Sequence, residues 1–191
     1  VDLGLPSGTL WATKNLSEGI IPSYFAWGEL NQSERSDWQE YQFSDDYGMN
    51  FLTNPSSPTT HVLLPEHDAA RKARGGGWRL PTAEEFEELS NECIFEWCKV
   101  NEKIQGLLAT GPNGNRIFLP ANGVAEDSGI KDYGEACCYW TATGHGGRSA
   151  HAMQFRKVIE PIDGLFFMET LTCCGRSIRP VISKEDVRKD E

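Results

Sequence analysis

The sequence predicts one α+β domain, with two helices packed on a small, mostly antiparallel sheet and long loops between elements. Three stretches predict it. Thr82-Ala83-Glu84-Glu85-Phe86 is a helix start: the Thr82 hydroxyl can accept from a first-turn N–H, and Glu85 can reach back to the cap. Asn113-Gly114 lies between the apolar runs 107–110 and 116–119, which is hairpin chemistry. His151, Met153 and Phe155 alternate with Ala152, Gln154 and Arg156, the two-residue period of a strand. A length of 191 residues suits a single domain with a sizeable core. The domain is assigned to residues 1–183 and a charged, solvated tail to 184–191.

In chain order, residues 1–16 read as a hairpin turning at Pro6-Ser7-Gly8. Residues 24–29 form a short aromatic extended segment in which Phe25 and Trp27 share a face. Residues 30–64 are polar and broken by Asn54-Pro55-Ser56-Ser57-Pro58, so a long irregular loop is expected. A first helix over 65–73 has Pro65 in its first turn, acids early, bases late and Gly75 as its stop. Gly75-Gly76-Gly77 then frees the backbone before Trp78-Arg79-Leu80, an extended segment with Trp78 and Leu80 on one side. The second helix, 83–92, buries Phe86, Leu89 and Cys93 as one stripe. Strands follow at 95–99, 107–110 and 116–119, and residues 121–136 read as a second loop. The last third gives strands at 139–143, 151–156, 165–171 and 177–182, with a loop at 144–148. Pro180 demotes the last of these to an edge or a bulge.

Composition narrows the function. With 18 Lys+Arg against 28 Asp+Glu the net charge is −10, which argues against nucleic-acid binding. No apolar run reaches the ~18 residues of a membrane-spanning helix. The chain opens mid-pattern at Val1, which fits an exported protein whose signal has been removed.

Several separated blocks carry a family resemblance. They are Val1-Asp2-Leu3-Gly4-Leu5-Pro6-Ser7-Gly8-Thr9-Leu10-Trp11-Ala12-Thr13, Tyr24-Phe25-Ala26-Trp27-Gly28-Glu29, Gly75-Gly76-Gly77-Trp78-Arg79-Leu80-Pro81-Thr82, Asn113-Gly114-Asn115-Arg116-Ile117-Phe118-Leu119-Pro120 and Gly175-Arg176-Ser177-Ile178-Arg179-Pro180-Val181. Together they resemble the Fibrobacter major paralogous domain group of Bacteroidetes surface proteins. That group is similar to the C-type-lectin-like fold of formylglycine-generating enzymes and of diversity-generating retroelement target proteins. The resemblance implies a C-type-lectin-like fold in which the closing strand pairs near the N-terminal hairpin. It also implies an extracellular or cell-surface location.

In retroelement targets, the segment from a Tyr-Trp strand to the Gly-Arg-Ser ending carries the ligand-contacting side chains. By that resemblance the 139–174 face is a recognition surface for a protein or glycan, as in cell adhesion. Its candidate ligand-binding residues are His145, Arg148, Gln154, Arg156, Lys157, Glu160, Asp163, Phe166, Met168 and Glu169. A mix of charge, aromatic and Met on turns between strands suits recognition. This segment departs from the Tyr- and Asn-rich pattern of many relatives, since it holds no Asn.

Catalytic and metal chemistry find little support in the sequence. His61, His67, His145 and His151 form no His-Glu-x-x-His, and no carboxylate or Cys stands at a recognisable spacing from His145 and His151. Neither a metal nor another cofactor is expected, and Glu160-Pro161-Ile162 lacks the third oxygen of a calcium lectin motif. No nucleotide-binding glycine pattern matches. Formylglycine-generating enzymes use two reactive cysteines a few residues apart; here Cys173-Cys174 are adjacent, so that pair is not carried over. The reading is non-enzymatic, with a formylglycine-generating-type oxidoreductase or a structural module of a surface assembly as alternatives.

Six cysteines occur, at 93, 98, 137, 138, 173 and 174. A cross-link between the two adjacent pairs would contribute roughly 3–4 kcal/mol by loop closure; the other possibility is that all are free thiols. Trp11, Trp27, Trp78, Trp97 and Trp140 read as core, and Trp38 as an exposed stacking surface.

Overall fold

The computed structural model describes residues 1–17, 22–33, 36–44, 52, 61–146, 148–157 and 166–187. Among these the chain is α+β with antiparallel sheets, and no helix is long and apolar enough to cross a membrane. The expected single sheet is instead four small ones. Strand β1 (Thr9–Trp11) pairs with β10 (Val181–Ser183). Strands β2 (Ile94–Lys99), β3 (Gln105–Thr110) and β4 (Arg116–Pro120) form a meander. Strands β5 (Val124–Glu126) and β6 (Gly129–Lys131) form a hairpin. Strands β7 (Ala136–Gly146), β8 (Ser149–Arg156) and β9 (Phe166–Leu171) form the last sheet.

What replaces a continuous ladder is the segment 175–181, which stitches the pieces by single bridges. Gly175 bridges Ala125, Arg176 bridges Phe25, Ser177 bridges Tyr139 and Val181 bridges Arg79. Pro180 donates nothing, but its carbonyl accepts from Ala12 N–H at 2.9 Å. Pairing of the closing strand with the N-terminal hairpin agrees with expectation.

The expected first helix is divided. Pro65–His67 is a 3-10 turn, and α1 (Ala69–Arg74) begins only after Asp68. Asp68 is the real cap: its carboxylate accepts from Ala70 and Arg71 N–H and, from across the fold, from Leu80 N–H at 2.8 Å. Helix α2 (Ala83–Glu92) follows the sequence reading closely, with both halves of the Thr82–Glu85 capping box present and Phe86 and Leu89 buried. Glu85 also takes two bonds from the Arg79 guanidinium, at 2.6 and 2.7 Å, and one from the Thr9 hydroxyl at 2.8 Å. That single carboxylate ties the glycine-led segment, α2 and β1 together.

Two regions expected to lack structure have it. Residues 121–136 contain the β5–β6 hairpin. The tail begins with α3 (Lys184–Val187), capped by the Ser183 hydroxyl on Asp186 N–H and tied to the N-terminus by Lys184–Asp2 at 2.8 Å. Any Cβ at Gly77 would collide with Asp186, so the glycine there makes room for this turn.

Strand β7 lies between the core clusters. Cys137 and Tyr139 face Trp11, Phe86, Leu89 and Met153 on the α2 side. Trp140 and Ala142 face Phe25, Trp27, Leu63 and Ala152 on the other. Cys138 joins Tyr41, Val124, Cys173 and Cys174. Trp11, Trp27 and Trp140 are fully buried as expected, whereas Trp78 and Trp97 are only half-buried. All six cysteines are free thiols. Cys137 and Cys138, as strand neighbours, face opposite sides, so the two could not both reach Cys173-Cys174.

Candidate functional site

Side-chain alternation across β7–β9 decides which residues can meet a ligand. Helix α2 covers one face of this sheet around Tyr139, Met153 and Phe155. On the same face, His151 pairs with Glu169 and Met153 with Phe167. Phe167, Glu169 and Leu171 are exposed, with Phe167 at 38% and Leu171 at 52% of full accessibility. His145, from the end of β7, is exposed beside them.

The expected ligand residues separate accordingly. His145 and Glu169 come together: His145 Nε2 lies 3.0 Å from Glu169 Oε2. The His151 ring, which sequence spacing left without a partner, stands perpendicular to that of His145 at 5.3 Å. Gln154 is buried, and Met168 packs inward against the Trp27–Trp140 cluster. Both face the side opposite Glu169, so neither belongs to the outer patch. Arg156 and Lys157 are exposed at the far end of β8, where Arg156 pairs with Asp132. Phe166 is in β9, in register with Gln154. Glu160 and Asp163 lie outside the described residues.

Arg148 reaches a different place. Its guanidinium sits 4.4 Å from the centre of the Trp38 ring, and Tyr41 stacks on that ring at 5.4 Å and 10°. Trp38 is therefore half-buried rather than a free platform. It borders a cleft of about 820 Å³ whose lining includes Asp37, Glu126, Asp127, Leu171, Cys173 and Cys174. The cleft joins the outer patch through Leu171.

Arg176 lies behind the thiols. It is nearly fully buried, 5.0 Å from the Trp140 ring centre, and donates through Nη2 to the Thr170 hydroxyl at 2.6 Å. Its Nε and Nη1 have no hydrogen-bond partner among the described residues. A hydrogen bond from Cys173, reinforced by the Arg176 charge, pulls the Cys174 thiol below the usual range. The same hydrogen bond, with burial, pushes Cys173 up. Burial pushes Cys93 and Cys138 up to about 11. The other thiols are thus poor nucleophiles, and Cys174 is the one favoured to ionise, though under a tenth exposed.

A second cleft, about 690 Å³, lies among Asn15, Lys103, Phe118, Asn122, Tyr133 and Arg179. Arg179 bonds Asn15 Oδ1, Ala12 O and Phe118 O at 2.8, 2.9 and 2.6 Å, which leaves its nitrogens already engaged by the scaffold. Among the described residues, His145, His151 and Glu169 are the group of three whose donor atoms converge as a metal would require. Comparison with protein-family models, curated proteins and solved structures returns no match for this chain.

Proposed function

We propose that this chain is a C-type-lectin-like module, similar to the Fibrobacter major paralogous domain group, that binds a protein or glycan at a bacterial cell surface without catalysis. The observation that carries the reading is the outer end of β7–β9. There Phe167, Leu171, His145 and Glu169 project from strands whose remaining side chains are largely buried. Exposed large apolar groups rimmed by charge mark interaction surfaces. The adjoining cleft, with Trp38 and three carboxylates at its border, extends that surface with groups suited to hydroxyl-rich or basic ligands.

The test is a binding screen against a glycan array and a panel of purified surface proteins, repeated with Leu171→Glu and Phe167→Ala. A ligand whose affinity drops at least ~10-fold in these variants supports the reading, in line with the loss of a central apolar contact. A ligand that binds both variants as well as the parent chain sinks it.

One observation favours a second reading, an oxidoreductase of the formylglycine-generating type: the acidified Cys174 thiol borders the cleft. Oxygen consumption by reduced, copper-supplied protein with thiol-containing peptides separates the two readings. Uptake abolished by Cys174→Ser would favour the enzyme.

A further inference from the structure

The geometry points to a binding site for one divalent transition-metal ion of the zinc, copper or nickel type, held by His145, His151 and Glu169. Three neighbouring strands each supply one donor: β7 gives His145, β8 gives His151 and β9 gives Glu169. His151 and Glu169 are direct cross-strand partners, so their side chains rise from the same face. His145 reaches them because the β7–β8 pairing is irregular between Trp140 and Gly146. Such an irregularity re-aims a side chain that a regular ladder would place elsewhere.

The backbone around the donors is fixed. Gly144 N–H bonds His61 O at 2.7 Å, immediately before His145. A Cβ at Gly144 would press on that carbonyl and on the Trp27 ring, both 3.2 Å away, so a side chain there would need its neighbours to give by a few tenths of an ångström. The buried Thr141 hydroxyl donates to His151 O at 2.8 Å. Two of the three ligands therefore stand on strands whose positions are set by the core.

The donor atoms lie within 4.8 Å of one another, and His145 Nε2 is 3.0 Å from Glu169 Oε2. Adjacent ligands of a tetrahedral zinc, with bonds of ~2.0–2.1 Å, are about 3.3 Å apart. One pair is already near that spacing, and the third donor, on half-buried His151, lies within 4.8 Å of both exposed partners. Two imidazoles and one carboxylate suit zinc, copper or nickel; calcium and magnesium prefer oxygen alone. Three protein ligands leave a position for water or for an outside donor. A His145–Glu169 hydrogen bond and the edge-to-face contact of the two imidazoles hold the same three groups together without an ion, and titration with metal separates the two accounts. The site stands whether or not the 139–174 face recognises a macromolecule.

The test uses the full chain. Zinc and cobalt(II) titrations are followed by calorimetry, and the cobalt adduct by its visible absorption. One ion per chain, with cobalt bands typical of nitrogen and oxygen ligands, is the expected result. Affinity should fall at least ~10- to 100-fold in His151→Ala and in Glu169→Gln, at or beyond the loss seen for weakened outer-shell support. His67→Ala, at a histidine that packs on Phe43 rather than at the site, should bind as the parent does. His145→Ala, at an exposed position, gives a second ligand deletion if His151→Ala disturbs the strand. Three results overturn the assignment: no binding to the parent chain, unchanged binding in the ligand variants, or a thiolate-to-cobalt band that hands the ion to the cysteines.

Discussion

Arg176 and Arg179 lie three residues apart in the same stitching segment, and both are almost fully buried. They are held very differently. Arg179 spends its guanidinium on three oxygens, two from the N-terminal segment and one from β4. Arg176 has one hydroxyl, one aromatic face and a set of thiols, with two nitrogens unmatched among the described residues. The first arrangement is a fastener. The second leaves an undersupplied positive charge near the cleft, which adds to the Cys173 hydrogen bond in drawing the Cys174 thiol down. At the starts of α1 and α2 the carboxylates follow the Arg179 pattern: Asp68 and Glu85 each accept several donors. Fully matched buried charges here hold separate segments together, while the poorly matched one acts mainly on the neighbouring thiols.

That contrast can be broken experimentally. Arg179→Met strands two backbone carbonyls and Asn15, and is expected to cost about 4 kcal/mol in urea unfolding. Asp68→Ala removes a helix cap and orphans Leu80 N–H, for a loss of about 3 kcal/mol by the same measurement. Glu85→Gln is expected to cost about 2 kcal/mol at neutral pH.

Glu85 also predicts a pH dependence. Burial raises its pKa, but the Arg79 bonds and charge outweigh burial, and the net value is lowered. Its contribution is therefore complete above the ordinary glutamate range and is lost as pH falls through the depressed folded value. The acid limb of stability against pH should flatten in Glu85→Gln; an unchanged limb would mean another carboxylate governs it. The smallest stability effect belongs to Arg176→Met, about 1 kcal/mol or less, since an apolar group replaces a poorly matched buried charge. Its signature is chemical: the pH midpoint for alkylation of Cys174 should move upward. A large stability loss without that shift would make Arg176 a fastener like its neighbour.

Much of the scaffold was legible because it is locally encoded. The α2 capping box and its Phe86–Leu89 stripe lie within a few residues, and so does the loop that joins β3 to β4. The break at Asp68 was not legible, because what favours it includes Leu80 N–H, twelve residues away. The helical turn α3 had a readable signal, since Ser183 precedes Asp186 by the spacing of a cap. The β5–β6 hairpin is supported from outside by the Ala125–Gly175 bridge, which spacing does not reveal.

The outer patch was half legible. Strand alternation separates Met168 from Glu169 and turns Gln154 away, so these faces could have been sorted from the sequence. The approach of His145 to Glu169 could not. It depends on register across β8 and on an irregular pairing that no composition announces.

Strand β7 has both faces covered, touching all of the core clusters at once. Loosening it would expose every cluster together, so its amides should be the last to exchange with deuterated solvent, close to the limit set by global unfolding. Protection should then decay outward across β8 to β9, whose outer edge pairs with no further strand among the described residues. The face assigned to recognition would thus fluctuate on its own timescale while the centre stays closed.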